Sequence, residues 1–344
     1  MKRIGIIGCG KIAQLRHIPE YAARDDVKLT AFFDTNMERA SELAERYGGK
    51  AYESYEALLA SGEVDAVSVC TPNELHARVS IEALKAGVDV LCEKPMAVNL
   101  AECEQMVKTA KETGRILMIG QNQRLASGHT IAKNLLSRGE IGKVLTFRTI
   151  FGHGGPETWS IDPGKGTWFF DKKKAVMGAM ADLGIHKTDL IQFLLGEKIT
   201  EVTAFIGTLD KKGSDGTLIG VDDNAICLYR TESGCVGTMT ASWTYYGSEN
   251  NSTVLYGTDG IMSIYEDPSY CVVITKPDGS RILYEADKIQ TNDNQTSSGV
   301  IDAFMNAVNG DISCCISGES VLDAMKVVFA AEESAKTNRT VKVD

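Results

Sequence analysis

Short, continuous apolar runs recur along the first third of the chain: Arg3–Ile7, Val27–Phe33, Val64–Cys70, Val88–Cys92 and Ile116–Ile119. Runs of this length, rich in β-branched residues, predict strands buried on both faces, as in a parallel sheet. Between them the apolar period lengthens to that of helices. Asn36 is placed to cap a helix that stops at Gly48, Asn73 one that stops at Gly87, and Asn99 one that stops at Gly114. Strand and helix in alternation predict right-handed crossovers and a doubly wound parallel α/β sheet over residues 1–121.

From about Val144 the pattern becomes an alternation of apolar and polar positions broken by Gly-containing turns. Glu201–Leu209, Asn224–Tyr229, Cys235–Trp243, Thr253–Tyr256, Ile261–Tyr265, Tyr270–Thr275 and Arg281–Tyr284 are the predicted strands. Thr231-Glu232-Ser233-Gly234, Thr258-Asp259-Gly260 and Lys276-Pro277-Asp278-Gly279 join several of them as hairpins. Residues 122–344 are therefore expected to form an α+β domain with a large open antiparallel sheet. Helices Ile131–Ser137, Met180–Leu195, Gly299–Val308 and Ser320–Thr337 would cover one face, with those at 299–337 placed to pack back toward the first domain. A free sheet face of that size is commonly closed by another subunit, so a homodimer or homotetramer is expected.

Composition narrows the function classes. The 344 residues are 43% hydrophobic and 24% charged, which is globular and, at about 150 residues per domain, two domains. A net charge of −10 argues against nucleic acid and anionic membrane as partners. No apolar run approaches the roughly 18 residues of a membrane helix, and Gly8 interrupts the basic N-terminus too early for a signal sequence. The nine cysteines form no C-x-x-C pair and no zinc-like cluster with the five histidines. They read as reduced thiols of a cytoplasmic protein that holds no metal.

Ligands of a doubly wound sheet bind outside the carboxyl ends of its strands. Here those ends carry Gly8-Cys9-Gly10-Lys11-Ile12-Ala13, Asp34, Thr71-Pro72-Asn73, Glu93-Lys94-Pro95 and Gln121-Asn122-Gln123-Arg124. The first is a G-x-G-x-x-A loop between strand and helix, with an acid some 20 residues further on, the pattern of a dinucleotide-binding Rossmann fold. Gly8 permits the turn, Gly10 lets the backbone approach a pyrophosphate, and the helix that begins at Lys11 and Ile12 offers its amides to phosphate. Asp34 is suited to accept from both ribose hydroxyls and to repel a 2′-phosphate, so NAD is expected over NADP, with Arg39 leaving some room for the latter.

Two later stretches look chemical. Gly152–Lys174 is a long Gly-rich loop carrying Trp159, Trp168, Phe169 and Phe170. Asp182, His186 and Asp189 follow at helical spacing, with Leu183, Leu190, Ile191 and Leu194 on the other side. On their own they read as a polar surface stripe. His129 reads as a surface residue, His17 as structural, and His153 as a loop residue within reach of substrate.

Taken in order, the glycine loop, Asp34, Thr71-Pro72-Asn73, Glu93-Lys94-Pro95 and Asp182-x-Gly184-x-His186-x2-Asp189 resemble the Gfo/Idh/MocA family of nicotinamide-dependent oxidoreductases. The resemblance implies that Lys94 is the catalytic lysine before a cis proline, His186 the acid–base histidine, and Asp182 the acid that binds a substrate hydroxyl and orients His186. It further implies cofactor contacts from Thr71, Pro72, Asn73 and His76, from Glu93 near the nicotinamide ribose, and from Gln121. Asn122, Arg124 and Trp168 would line the substrate side. One departure stands out: where relatives have consecutive glycines, this chain reads Val176-Met177-Gly178-Ala179-Met180-Ala181.

The implied activity is reversible hydride transfer between NAD and a secondary hydroxyl of a sugar or cyclitol. An imidazole with an ordinary pKa of about 6.5 suits the proton transfer, and an ammonium beside the same oxygen stabilises the alkoxide. Competing readings are an NAD-dependent glycosidase that recycles its cofactor, an enzyme oxidising glycosides at the 3-position, and a non-catalytic NAD-binding sensor. Net NADH from a simple polyol separates the dehydrogenase from the glycosidase and the sensor.

Overall fold

The computed structural model describes residues 1–286, 297–313 and 315–343. They form two compact units. The first takes Met1–Gln121, Lys173–Val176 and the described residues within Asn292–Leu322; the second takes Asn122–Lys172, Met177–Thr291 and Asp323–Asp344.

The first unit is built on a parallel sheet in the order β3-β2-β1-β4-β5-β6. Its strands are β1 Lys2–Ile7, β2 Val27–Phe33, β3 Lys50–Ala51, β4 Ala66–Val69, β5 Asp89–Cys92 and β6 Leu117–Ile119. The five predicted strands are all present; the short edge strand β3 lacks an apolar run and left no signal. Register levels the carboxyl ends. Ile7 sits opposite Phe33 and Val69, Val69 opposite Cys92, and Cys92 opposite Ile119. Every residue that follows a strand therefore emerges along one edge.

Two helix caps are as predicted. Asn36 accepts from the Arg39 N–H and Asn99 from the Glu102 N–H, while Gly48 (φ 74°) and Gly114 (φ 63°) close their helices in the left-handed conformation. Asn73 differs. Its amide donates to the Ala175 carbonyl at 2.9 Å, Pro72 precedes a 3-10 turn at Asn73–Leu75, and the α-helix begins only at His76. Val300–Val308 belongs to the first unit, where Glu20 accepts from the Ser298 N–H that precedes it.

The second unit carries a sheet in the order β14-β13-β12-β11-β7-β10-β9-β8-β15. Its strands are β7 Val144–Gly152, β8 Ile199–Gly207, β9 Asn224–Thr231, β10 Val236–Ser242, β11 Thr253–Gly257, β12 Gly260–Ile264, β13 Val272–Thr275, β14 Arg281–Tyr284 and β15 Val341–Lys342. The sheet is mostly antiparallel, as the hairpins predicted, with one parallel pairing, β7 with β10. Turn residues reveal only the strands they join directly, and β7 enters the centre of the sheet without a hairpin to β10. Helices Ser127–Ser137 and Ile185–Leu195 also belong to this unit.

Candidate active site

In the first unit the glycine loop is fixed from two sides. Gly8 has φ 93°, and a Cβ there would lie 2.5 Å from the Cys70 carbonyl oxygen, so only glycine fits. Asp34 accepts from the Cys9 N–H and the Asn36 N–H, both at 2.8 Å, and Arg39 stands 3.8 Å from its carboxylate. Gly10 is different. A Cβ on it would meet nothing within 4 Å among the described residues, so no packing there requires glycine.

A wide turn follows. Ala13–His17 is a π-helical segment in which the Ile18 N–H donates to Ala13 O, and His17 is buried at its end. The His17 ring lies 2.9 Å from Glu93 Oε1 through Nε2 and 3.0 Å from Ser68 Oγ through Nδ1. Burial pushes the Glu93 carboxyl up, but the His17 hydrogen bond and the charges of His17, Lys94 and Arg16 outweigh it and hold the group below its usual range. Gly120 leaves room for this carboxylate, since a Cβ there would stand 3.0 Å from Glu93 Oε1. Sequence reasoning gave His17 only a structural role. It positions Glu93.

The Lys94–Pro95 peptide is cis. His76 braces this turn from behind: Nδ1 lies 2.7 Å from Pro95 O and Nε2 2.9 Å from Thr71 O, with the ring wholly buried. A neutral imidazole donates to only one of those carbonyls, and burial holds its pKa below the ordinary value. Both ring nitrogens of this expected cofactor contact are thus turned to backbone, where they tie the Thr71 and Pro95 loops together.

Three buried polar atoms at the same strand ends have no hydrogen-bond partner: Thr71 Oγ1 and both amide atoms of Gln121, which is 1% exposed. Such groups are rare because each costs about 1–3 kcal/mol. With the space over Gly10 and the Asp34 carboxylate, they fit a dinucleotide: amides and dipole for phosphate, carboxylate for ribose, and an amide–hydroxyl set for a polar ring substituent. Lys11 and Ile12 stand half-buried in the first helical turn.

In the second unit the predicted surface stripe is a buried helix. Every residue from Ile185 to Ile191 is buried, His186 at 6% exposure and Lys187 at 0%. Here too a π-helical segment, Met180–Gly184, precedes the α-helix. Asp222 clamps its start, accepting from the Gly178 N–H at 2.6 Å and the Met180 N–H at 2.7 Å, and burial pushes its pKa up to about 6. Gly178 is the one glycine in residues 176–181, and it is needed: a Cβ would fall 1.8 Å from Asp222 O. Val176, in the first unit, takes φ 66°, a conformation that β-branched residues rarely adopt. Gly184 lets the helix approach β10, where its Cβ would meet Met239.

Asp182 is 7% exposed and accepts from the Trp243 indole N–H at 3.0 Å. His186 lies against Phe151, with ring centroids 6.1 Å apart. Asp189, expected on the same face, turns elsewhere. It receives a bidentate pair from Arg124, at 2.7 Å and 2.5 Å, and both side chains are largely buried. The guanidinium expected at substrate is thus engaged in an internal ion pair beside the half-buried Asn122. Burial raises the Asp189 pKa, and Arg124 acts against it. His129, expected on the surface, is 0% exposed, and burial pushes its pKa down to about 3. His153 is buried between Phe151 and Trp159.

Trp243, Asp222 and Phe151 were missed from sequence. Trp243 had a signal: it continues the inward period of Met239 and Ala241 on β10, and a buried indole N–H needs an acceptor. Among the described residues no three histidine, cysteine or acidic side chains could hold a metal, and no helix is long and apolar enough to cross a membrane.

A level-ended parallel sheet with this glycine loop and acid is the architecture of a dinucleotide-binding domain. Residues 2–121 match the family described as "Oxidoreductase family, NAD-binding Rossmann fold", and residues 129–263 match the "GFO/IDH/MocA C-terminal domain". The chain belongs to the Gfo/Idh/MocA oxidoreductase family, and its cofactor is NAD. It is 31% identical to levoglucosan dehydrogenase of Pseudarthrobacter phenanthrenivorans over 66% of this chain and 62% of that protein, so that match spans less than two thirds of the relative's length. With myo-inositol 2-dehydrogenase of Thermotoga maritima it shares 29% identity over 99% of this chain and 98% of the other. The solved structure of aldose-aldose oxidoreductase from Caulobacter crescentus, complexed with glycerol, superposes with TM-score 0.82 at 27% identity, covering 99% of both chains.

Proposed function

We propose that this enzyme transfers hydride between NAD and a secondary hydroxyl or ketone of a sugar or cyclitol, with Lys94 and His186 handling the proton. The observation that carries this reading is the burial of Asp182 and His186 on one clamped helix, with the Asp182 carboxylate held by the Trp243 N–H. Titratable groups taken out of water and fixed in orientation are what acid–base chemistry needs. Relatives named for levoglucosan and myo-inositol point to cyclic polyols as substrates.

NAD, when bound, supplies the two-electron acceptor or donor for hydride. The glycine loop, Lys11, Ile12 and Asp34 hold its adenosine and phosphate side, while Thr71, Pro72, Asn73, Glu93 and Gln121 serve the rest. Asp182 accepts a hydrogen bond from the substrate hydroxyl. The imidazole of His186 takes the proton of that hydroxyl during oxidation and returns it during reduction. The Lys94 ammonium, kept in place by the His17–Glu93 pair and the His76 brace, stabilises developing negative charge on the same oxygen. The active form is a homodimer or homotetramer closed through the open sheet face, and the protein works in the cytoplasm.

The test is a screen of NAD⁺ and NADP⁺ with polyols, following NADH absorbance. Lys94→Met and His186→Ala are each expected to lose about 100-fold or more in kcat. Both should still bind NADH, as read by its fluorescence. Full turnover in either variant removes that residue's role.

A further inference from the structure

The loop between β7 and the helix carrying Asp182 holds more aromatic surface than a connector needs. Trp168 and Phe169 stack with centroids 3.9 Å apart and planes 25° apart. Phe169 is met on its other sides by Trp159 at 5.1 Å and Trp243 at 6.4 Å. Trp168 meets no ring but Phe169 among the described residues, and it is only half-buried. The cluster leads to two of the three candidate catalytic groups, Asp182 and His186. Trp243 donates to Asp182, while Trp159 touches His153, which touches Phe151, which touches His186.

Polar atoms within the cluster are left wanting. The Thr167 hydroxyl, on a residue 4% exposed, and the Trp159 indole N–H are buried with no hydrogen-bond partner. A purely structural aromatic core satisfies its donors. A half-buried indole stacked on a single ring, in a cluster that also holds an unsatisfied N–H and hydroxyl, is instead the combination that recognises a ring with an apolar face and hydroxyl edges.

We propose that Trp168, with Thr167 and Trp159, forms a subsite for a second ring joined to the oxidised sugar, so that the preferred substrate is a glycoside rather than a free monosaccharide or cyclitol. This rests on the oxidoreductase reading above. The glycosidic bond stays intact: hydride leaves the carbinol carbon for NAD⁺ and the proton leaves its oxygen.

The experiment compares kcat/KM for phenyl glucosides of both anomers and cellobiose with that for glucose and myo-inositol, in wild type, Trp168→Ala, Trp168→Tyr and Thr167→Val. Binding of cellobiose is followed in parallel by intrinsic tryptophan fluorescence, with circular dichroism confirming that each variant folds. The wild type is expected to favour glycosides at least tenfold. Trp168→Ala should reduce that preference to below threefold, chiefly through KM, and Trp168→Tyr should retain most of it. Turnover of glucose or inositol without a glycoside preference, or a preference unchanged in Trp168→Ala, overturns the subsite and leaves the oxidoreductase reading intact. Saturable cellobiose binding that Trp168→Ala abolishes, with no NADH formed from any polyol or glycoside, shows a sugar site at Trp168 but overturns its assignment to an oxidised glycoside, together with the proposed hydride transfer. Absence of both binding and turnover refutes both.

Discussion

Gly8 and Gly10 stand two positions apart and are glycine for different reasons. Gly8 is demanded by the fold, because its positive φ and the Cys70 carbonyl oxygen 2.5 Å from a would-be Cβ leave no alternative. Gly10 is demanded by nothing among the described residues. The two variants should therefore separate stability from binding. Gly8→Ala is expected to destabilise the protein by about 2–3 kcal/mol, combining overpacking with backbone strain. Gly10→Ala should melt at the wild-type temperature yet bind NADH about tenfold more weakly, since a new methyl crowds only a bound dinucleotide. Thermal melts and NADH fluorescence titrations read the two effects. A Gly10→Ala variant that keeps full NADH affinity would show that the loop does not cradle phosphate. Motif spacing alone could propose both glycines but could not tell their roles apart, because the difference lies in what faces each α-carbon.

At the scale of elements, what was legible depended on whether periodicity or a partner decided the outcome. The strands of the first unit, and the Asn36 and Asn99 helices, were legible because continuous apolar runs and side-chain caps are local. The Asp182–Leu195 region was not. Its Asp, His, Lys and Asp imitate a solvated stripe, and partners contributed by distant segments, among them Trp243, Arg124, Asp222 and Asn251, let it be buried. Burial of Lys187 on this helix has a measurable consequence. Its ammonium donates to Asn251 O at 3.2 Å and lies 5.9 Å from the centre of the Phe151 ring, and burial pushes its pKa down to about 7 from 10.5. A base with a depressed folded-state pKa incurs no penalty above the unfolded value, where both states are neutral. The penalty grows as pH falls from 10.5 toward 7 and is complete below it. Lys187→Met is therefore expected to stabilise the protein at pH 7 by about 2–5 kcal/mol, with the advantage fading toward pH 10. Denaturant midpoints at pH 7, 8.5 and 10 check this. A midpoint difference independent of pH would mean that the lysine keeps its charge in the folded state.

For the molecule as a whole, the open sheet sets the next constraint. Alternation on β9 turns Cys227 and Tyr229 inward and leaves Ile226 and Leu228 52% and 53% exposed, while Phe205, opposite Ile226 on β8, is 54% exposed. Apolar side chains exposed together on adjacent strands signal an interface more than isolated ones do. A sheet face made of paired strands has no free backbone groups to satisfy, so it associates through side chains, and a self-complementary face favours closed two-fold assembly. Sedimentation at micromolar concentration is expected to give a dimer or tetramer. The double variant Ile226→Asp/Leu228→Asp should shift it to monomer, because charges at the centre of an apolar contact are desolvated without partners. NADH affinity should be unchanged, since the glycine loop, Asp34, Thr71, Pro72, Asn73, Glu93 and Gln121 all belong to the first unit. A wild type that sediments as a monomer would leave the exposed apolar face unexplained by self-association.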